Sequence, residues 1–134
     1  MKAVFDTNVL VAAVFTEGVC AKLLMRARKR ECALALRAEI LEELERTLRR
    51  KFRLSSTELS EVRAIVTEAA SEIHEQSARM ARVCRDADDD KILACAAAAG
   101  AGFIVTGDAD LLVLVRYGEA RIVTPREFEG LFSD

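Results

Sequence analysis

One proline, one histidine and six glycines in 134 residues leave little material for a linker, a repeat or a low-complexity segment. The lone histidine, His74, leaves no imidazole pair for acid/base work and no histidine cluster for a metal. Four cysteines, Cys20, Cys32, Cys84 and Cys95, form no C-x-x-C spacing, which argues against structural zinc and leaves them as small buried apolar side chains. A formal net charge of −2 removes any global attraction to nucleic acid, so binding of that kind has to come from local patches. Neither a signal peptide nor a spanning apolar run is legible at the amino terminus, and the expectation is a cytoplasmic protein with no membrane partner. What remains is 51% hydrophobic and 31% charged residues, enough for one self-sufficient, helix-rich domain over residues 1–134.

Apolar periodicity divides the chain into alternating elements. Lys2–Phe5 is too short for a helix and reads as a strand ending at Asp6, followed by helices over Val9–Phe15 and after Gly18. Cys32–Leu36 reads as a second strand, and Ile40, Leu41, Leu44 and Leu48 mark one face of a helix from about Ala38 to Arg50. Ser55 or Ser56 caps another helix, and Glu72–His74 forms a short strand. The acidic run at Asp86–Asp90 opens a helix that Gly100 stops. Phe103–Thr106 is a strand, Asp108–Val115 a helix, Ile122–Val123 a strand and Pro125–Phe132 a last helix with Pro at its start. Such alternation implies an α/β fold, a three-layer α/β/α sandwich around a mostly parallel sheet. Ligands bind such sheets at the carboxyl ends of the strands, where Asp6 and Asp108 both fall and converge if their strands are neighbours.

The acidic positions carry the chemistry. Asp6 and Asn8 at a strand end offer one charged and one neutral oxygen, the donors hard cations prefer, though both residues also cap helices well. Asp86, Asp88, Asp89 and Asp90 crowd one helix start, and like charges so close are costly without a cation. Asp89 falls on the apolar stripe, while Asp86 and Asp88 suit capping. Asp108 and Asp110 flank Ala109 at another helix start, with Thr106 placed to donate its hydroxyl to a carboxylate. In the helix from Ala38, Glu43 and Glu45 lie at the borders of the apolar stripe and Glu39 and Glu42 behind it, and periodicity does not choose between Glu43 and Glu45. Arg46, Arg49, Arg50, Lys51 and Arg53 form a basic run that suits RNA contact or an ordinary solvated helix end, and Lys22, Arg26, Lys29 and Arg30 form a second one.

The segments AVFDTNVLVAAVF, EILEELERTL and RDADDDKILACAAAAGAGFIVTGDADLL, closing in IVTPREFEGLF, resemble the PIN-domain family, within it the VapC-type toxins of toxin–antitoxin systems. The resemblance covers nearly the whole chain. It implies a Mg²⁺- or Mn²⁺-dependent ribonuclease whose acidic quartet maps onto Asp6, Glu43, Asp89 and Asp108. Asp110 joins Asp6, Asp89 and Asp108 as a metal-binding position, with Asn8 and Thr106 in support. It also implies an RNA substrate, a cognate antitoxin and a homodimer. Two other readings compete. A haloacid-dehalogenase-like phosphohydrolase also begins with Asp after a first strand, but needs a second Asp where this chain has Asn8. A PIN-like module without catalysis, serving binding or regulation, is the other.

Overall fold

The computed structural model describes residues 1–75 and 87–133, and the side chains of Ala87, Asp88 and Asp89 lie outside that description. The elements are β1 (Lys2–Phe5), α1 (Thr7–Phe15), α2 (Val19–Arg28), β2 (Ala33–Arg37), α3 (Ala38–Phe52), α4 (Ser56–Ala69) and β3 (Glu72–His74). They continue with α5 (Ala87–Ala99), β4 (Phe103–Val105), α6 (Ala109–Leu112), β5 (Arg116–Tyr117), β6 (Ala120–Val123) and α7 (Pro125–Glu129). The six strands form one sheet in the order β3-β2-β1-β4-β6-β5, parallel throughout except for the β5–β6 hairpin. This is the α/β arrangement that the alternating pattern implies.

Central strands of a parallel sheet are covered on both faces, which is why β1 and β2 read as unbroken apolar runs. Ala3, Val4, Phe5, Leu34, Ala35 and Leu36 are all fully buried. Helix α3 lays Ile40, Leu41, Leu44 and Leu48 into the core, four residues at helical spacing. Burying each stabilises the fold by about 1.5–3 kcal/mol before entropy is counted. Ser55 caps α4 through a reciprocal box with Glu58, and Thr124 does the same for α7 with Glu127. Among the described residues no single helix is long and apolar enough to cross a membrane.

Three expectations need correction. The apolar stretch after Asp108 does not run on as helix to Val115. Helix α6 is one turn, and the chain then reverses through Val115 at φ 63° to form β5. Val113 and Val115 are left mostly exposed, and the reversal lets Ile122 N–H donate to the Val115 carbonyl. The strand Arg116–Tyr117 is polar and two residues long, too short for an apolar pattern to reveal. Helix α7 stops at Glu129 rather than Phe132, where the bonding tightens into turns with Leu131 N–H on the Phe128 carbonyl and Phe132 N–H on the Glu129 carbonyl. Phe132 still packs edge-on against Phe128, with centroids 5.6 Å apart. Finally, Arg26 does not belong to a solvated basic patch. It is buried and forks onto Glu129 at 2.8 and 2.6 Å, with Glu31 at 2.6 Å and the Phe132 ring beneath it at 4.2 Å. Lys22 also reaches Glu129, so Glu129 holds two of that patch's cations.

Of the cysteines, Cys32 and Cys95 are buried and Cys20 is half-buried. Cys84 lies outside the described residues.

Candidate functional site

Register sets the site. β1 lies between β2 and β4, and its pairing of Phe5 with Val105 puts Asp6 and Thr106 side by side just past the strand ends. Backbone bonds carry the ladder one residue further, from Asp6 N–H to the Val105 carbonyl at 3.1 Å and from Thr106 N–H to the Val123 carbonyl at 2.9 Å. The convergence of Asp6 and Asp108 that depended on neighbouring strands is therefore met.

Asp6 is 6% exposed and has two structural tasks. Its Oδ1 accepts the Val9 N–H at 2.9 Å, capping α1, and its Oδ2 accepts the Thr106 hydroxyl. Thr106 Oγ1 accepts the Asp108 N–H at 2.9 Å, and Asp108 Oδ1 accepts the Asp110 N–H at 2.8 Å while capping α6. A continuous hydrogen-bonded path thus runs from Asp6 through Thr106 to Asp108. Burial pushes the Asp6 carboxyl above its ordinary value of 3.8, and the negative charge of Asp108 adds to the rise. The bonds from Thr106 and from the Val9 and Asn8 N–H groups work the other way and do not cancel it. Capping alone does not require a second carboxylate close enough to disfavour the first.

Asp110 is half-buried beside Asp108, and Asn8 is exposed on the first turn of α1. In α3, Glu45 pairs with Arg63 of α4 at 2.5 Å and Glu42 is exposed, while Glu43 is half-buried at the stripe's border. Helix α5 ends at the amino edge of the sheet, where Gly102 N–H bonds the Lys2 carbonyl and Lys2 Nζ bonds the Ala99 carbonyl at 2.8 Å. Thirteen residues of helix rise about 20 Å, so its first turn, with Asp88 and Asp89 in the backbone, returns to the carboxyl edge. The Asp89 side chain lies outside the described residues, as does all of Asp86. Arg46, Arg49, Arg50, Lys51 and Arg53 are all exposed at the far end of α3. His74 lies at the end of β3 and bonds Glu72 at 2.8 Å.

Two neighbours escaped sequence reasoning. Cys20, at the start of α2, lies near enough to Asp6 that the carboxylate's charge adds to burial in raising its thiol above the ordinary value of 9.0. No local pattern signals that proximity. Arg37, the last residue of β2 and fully buried, lies at the same sheet edge with its Nε 3.3 Å from Glu39 Oε1. A charged residue closing the apolar run ALAL was the available signal.

The donor set suits a hard divalent cation. It consists of carboxylate, hydroxyl and amide oxygens, with a buried carboxylate whose charge a cation would offset. Among the described residues no three His, Cys, Asp or Glu side chains gather closely enough to hold an ion by themselves. Asp6 and Asp108 are two.

Comparison with known proteins gives matches to a family model and to solved structures. A family model described as a PIN domain matches residues 2–110. A solved structure described as VapBC2 from Rickettsia felis bound to a DNA fragment from their promoter contains a chain that superposes with a TM-score of 0.61 at 17% identity. The match covers 92% of this chain and 98% of that one. No curated protein sequence matches this chain significantly.

Proposed function

Because the chain belongs to the PIN-domain family, we propose that it is a metal-dependent endoribonuclease that hydrolyses RNA phosphodiester bonds. The observation that carries this reading is the buried Asp6 carboxylate, joined through Thr106 to Asp108 across neighbouring strand ends. Asp6, Asp108 and Asp110, with Asp89 from α5 and Glu43 from α3, would hold Mg²⁺ or Mn²⁺. Glu43 is preferred within its helix because Arg63 draws Glu45 toward α4. When bound, such an ion supplies a nucleophilic water at neutral pH and neutralises charge on the phosphate.

The chain's own residues do the remaining work. Thr106 holds Asp6 in one orientation and, by accepting the Asp108 N–H, sets the turn that presents Asp108. The cap to Val9 fixes the other Asp6 oxygen, so the carboxylate needs little reorganisation before use. The exposed cations of α3 and the exposed Asn8 would meet the phosphate backbone.

An antitoxin partner and a homodimer belong to the same proposal. The matched structure is described as a VapBC2 complex, which supports the first. Exposed apolar side chains of Met25 and Ile65 over a cavity of about 190 Å³ between α1, α2 and α4 support a protein contact. Sedimentation showing only a 14.8 kDa species at micromolar concentration would reject the dimer.

The test of activity is incubation of the purified protein with single-stranded and structured RNA in Mg²⁺ or Mn²⁺. Cleavage that stops with EDTA is expected. Undiminished cleavage in EDTA rejects the metal role, and no cleavage with any RNA leaves the non-catalytic module as the better reading.

A further inference from the structure

Helices α1 and α3 end in a pair of aromatic rings that the site does not use. Phe15 closes α1 and Phe52 closes α3, and their rings stack with centroids 4.5 Å apart at an interplanar angle of 14°. Phe52 stands four residues beyond Leu48, so it continues the buried stripe one turn past the body of the protein. The stack covers one face of each ring and leaves the residues 44% and 45% exposed. Pinning two helices together needs no such exposure, because Leu41, Leu44 and Leu48 already anchor α3.

The surroundings of the pair are strongly cationic. Arg49, three residues before Phe52, shares its side of the helix, and Arg50, Lys51 and Arg53 flank it. Among the described residues, neither these four nor Arg46 has a carboxylate partner, on a chain whose net charge is −2. Exposed aromatic faces beside unpaired cations match the chemistry of single-stranded nucleic acid, whose bases stack while its phosphates are neutralised. Duplex RNA hides its base faces and suits such a surface poorly. The helices that carry the two rings also start near the acidic residues. Phe15 stands nine positions after Asp6, and Phe52 nine after Glu43, about 13 Å of helical rise in each case. A strand with a phosphate at the carboxylates can reach the rings within a few nucleotides.

We propose that the stacked Phe15–Phe52 pair, with Arg49, Arg50, Lys51 and Arg53, is a base-stacking platform that holds single-stranded RNA flanking the scissile bond. The platform takes its substrate class from the ribonuclease reading. The experiment measures binding of a short fluorescein-labelled single-stranded RNA by anisotropy in EDTA, using wild type, Phe15→Leu, Phe52→Leu and Arg49→Gln/Arg50→Gln. Leucine keeps apolar contact between the helices while removing the ring, and melting curves establish that each variant is folded. Each leucine variant should weaken binding about tenfold or more at all salt concentrations. The arginine variant should weaken binding mainly at low salt and flatten the salt dependence. Duplex RNA of the same sequence should show little effect of the leucine changes.

Folded leucine variants that bind single-stranded RNA as wild type does overturn the platform. So does loss of self-association in sedimentation with RNA binding intact, since the rings would then serve a second copy. A parallel cleavage assay in Mn²⁺ separates the two readings. Wild type that binds through the rings yet never cleaves defeats the ribonuclease and leaves the platform standing. Wild type that cleaves, with leucine variants equal to it in binding and cleavage, defeats the platform alone.

Discussion

Exchanging Asp6 for Asn alters one oxygen, yet it separates the two tasks the structure gives that side chain. The amide oxygen of Asn can still accept the Val9 N–H, and Asn caps helices about as well as Asp, so α1 should start unchanged. The Thr106 hydroxyl loses a charged acceptor, a bond worth about 1.5–3 kcal/mol. Against that loss, the variant no longer buries a charge that desolvation and Asp108 both disfavour. The two effects oppose, and metal-free stability should change by no more than about 1 kcal/mol, some 3–4 °C in Tm at the usual unfolding entropy for a chain of 134 residues. Metal should divide the proteins far more. An ion present at about a hundred times its Kd stabilises the folded state by about 2.7 kcal/mol, which is about 10 °C here. Wild type should show that shift, and Asp6→Asn and Asp108→Asn should lose most of it. RNA cleavage should fall about a hundredfold or more, since ion-derived stabilisation of the transition state is worth several kcal/mol. Melting curves with and without Mg²⁺, run beside cleavage assays, measure both. Variants that retain the full Mg²⁺ shift and full cleavage refute the site.

Arg26→Leu should cost about 3–5 kcal/mol, because it leaves Glu129 and Glu31 without their buried guanidinium, and adding Glu129→Leu should restore part of it in denaturant titrations. Arg26 and Lys22 hold the Glu129 carboxyl below its ordinary value of 4.5, so its stabilisation is fully present above that pH and is lost as pH falls through the lowered folded value. The stability gap between wild type and Glu129→Gln should therefore be wide at pH 7 and close below pH 4.5, and a gap that widens on acidification contradicts the pairing. Burial pushes the Cys95 thiol up to about 12, so it should resist alkylation at pH 8 until the protein unfolds, as peptide mass mapping can show. Labelling of native Cys95 at the rate of a free thiol would contradict its burial. Leu48→Ala, at a fully buried position, should cost about 2–5 kcal/mol, and a loss under 1 kcal/mol by urea titration would show that α3 is not anchored there.

Local physics made much of the molecule legible from its sequence. Apolar runs fully buried on both faces identified β1 and β2, and the 3.6-residue stripe of Ile40, Leu41, Leu44 and Leu48 identified α3, because both patterns follow from backbone geometry within a few residues. The capping box at Ser55 and the helix stop at Gly100, with φ 64°, are equally local. Asp6 and Asp108 could be named because each directly follows a strand. Their meeting depended on strand order, a property of residues about a hundred positions apart that no periodicity encodes. The structure alone decided that β1 and β4 are neighbours and that the Thr106 hydroxyl bridges the Asp6 carboxylate and the Asp108 backbone N–H. It alone turned Glu45 toward Arg63 and buried Arg26 against Glu129, since a charge's fate depends on which distant element arrives beside it. The end of α6 was decided the same way: the apolar sequence after Leu112 is compatible with more helix, and pairing of the reversed chain with β6 won because it satisfies backbone groups that a longer helix would have left at the sheet edge.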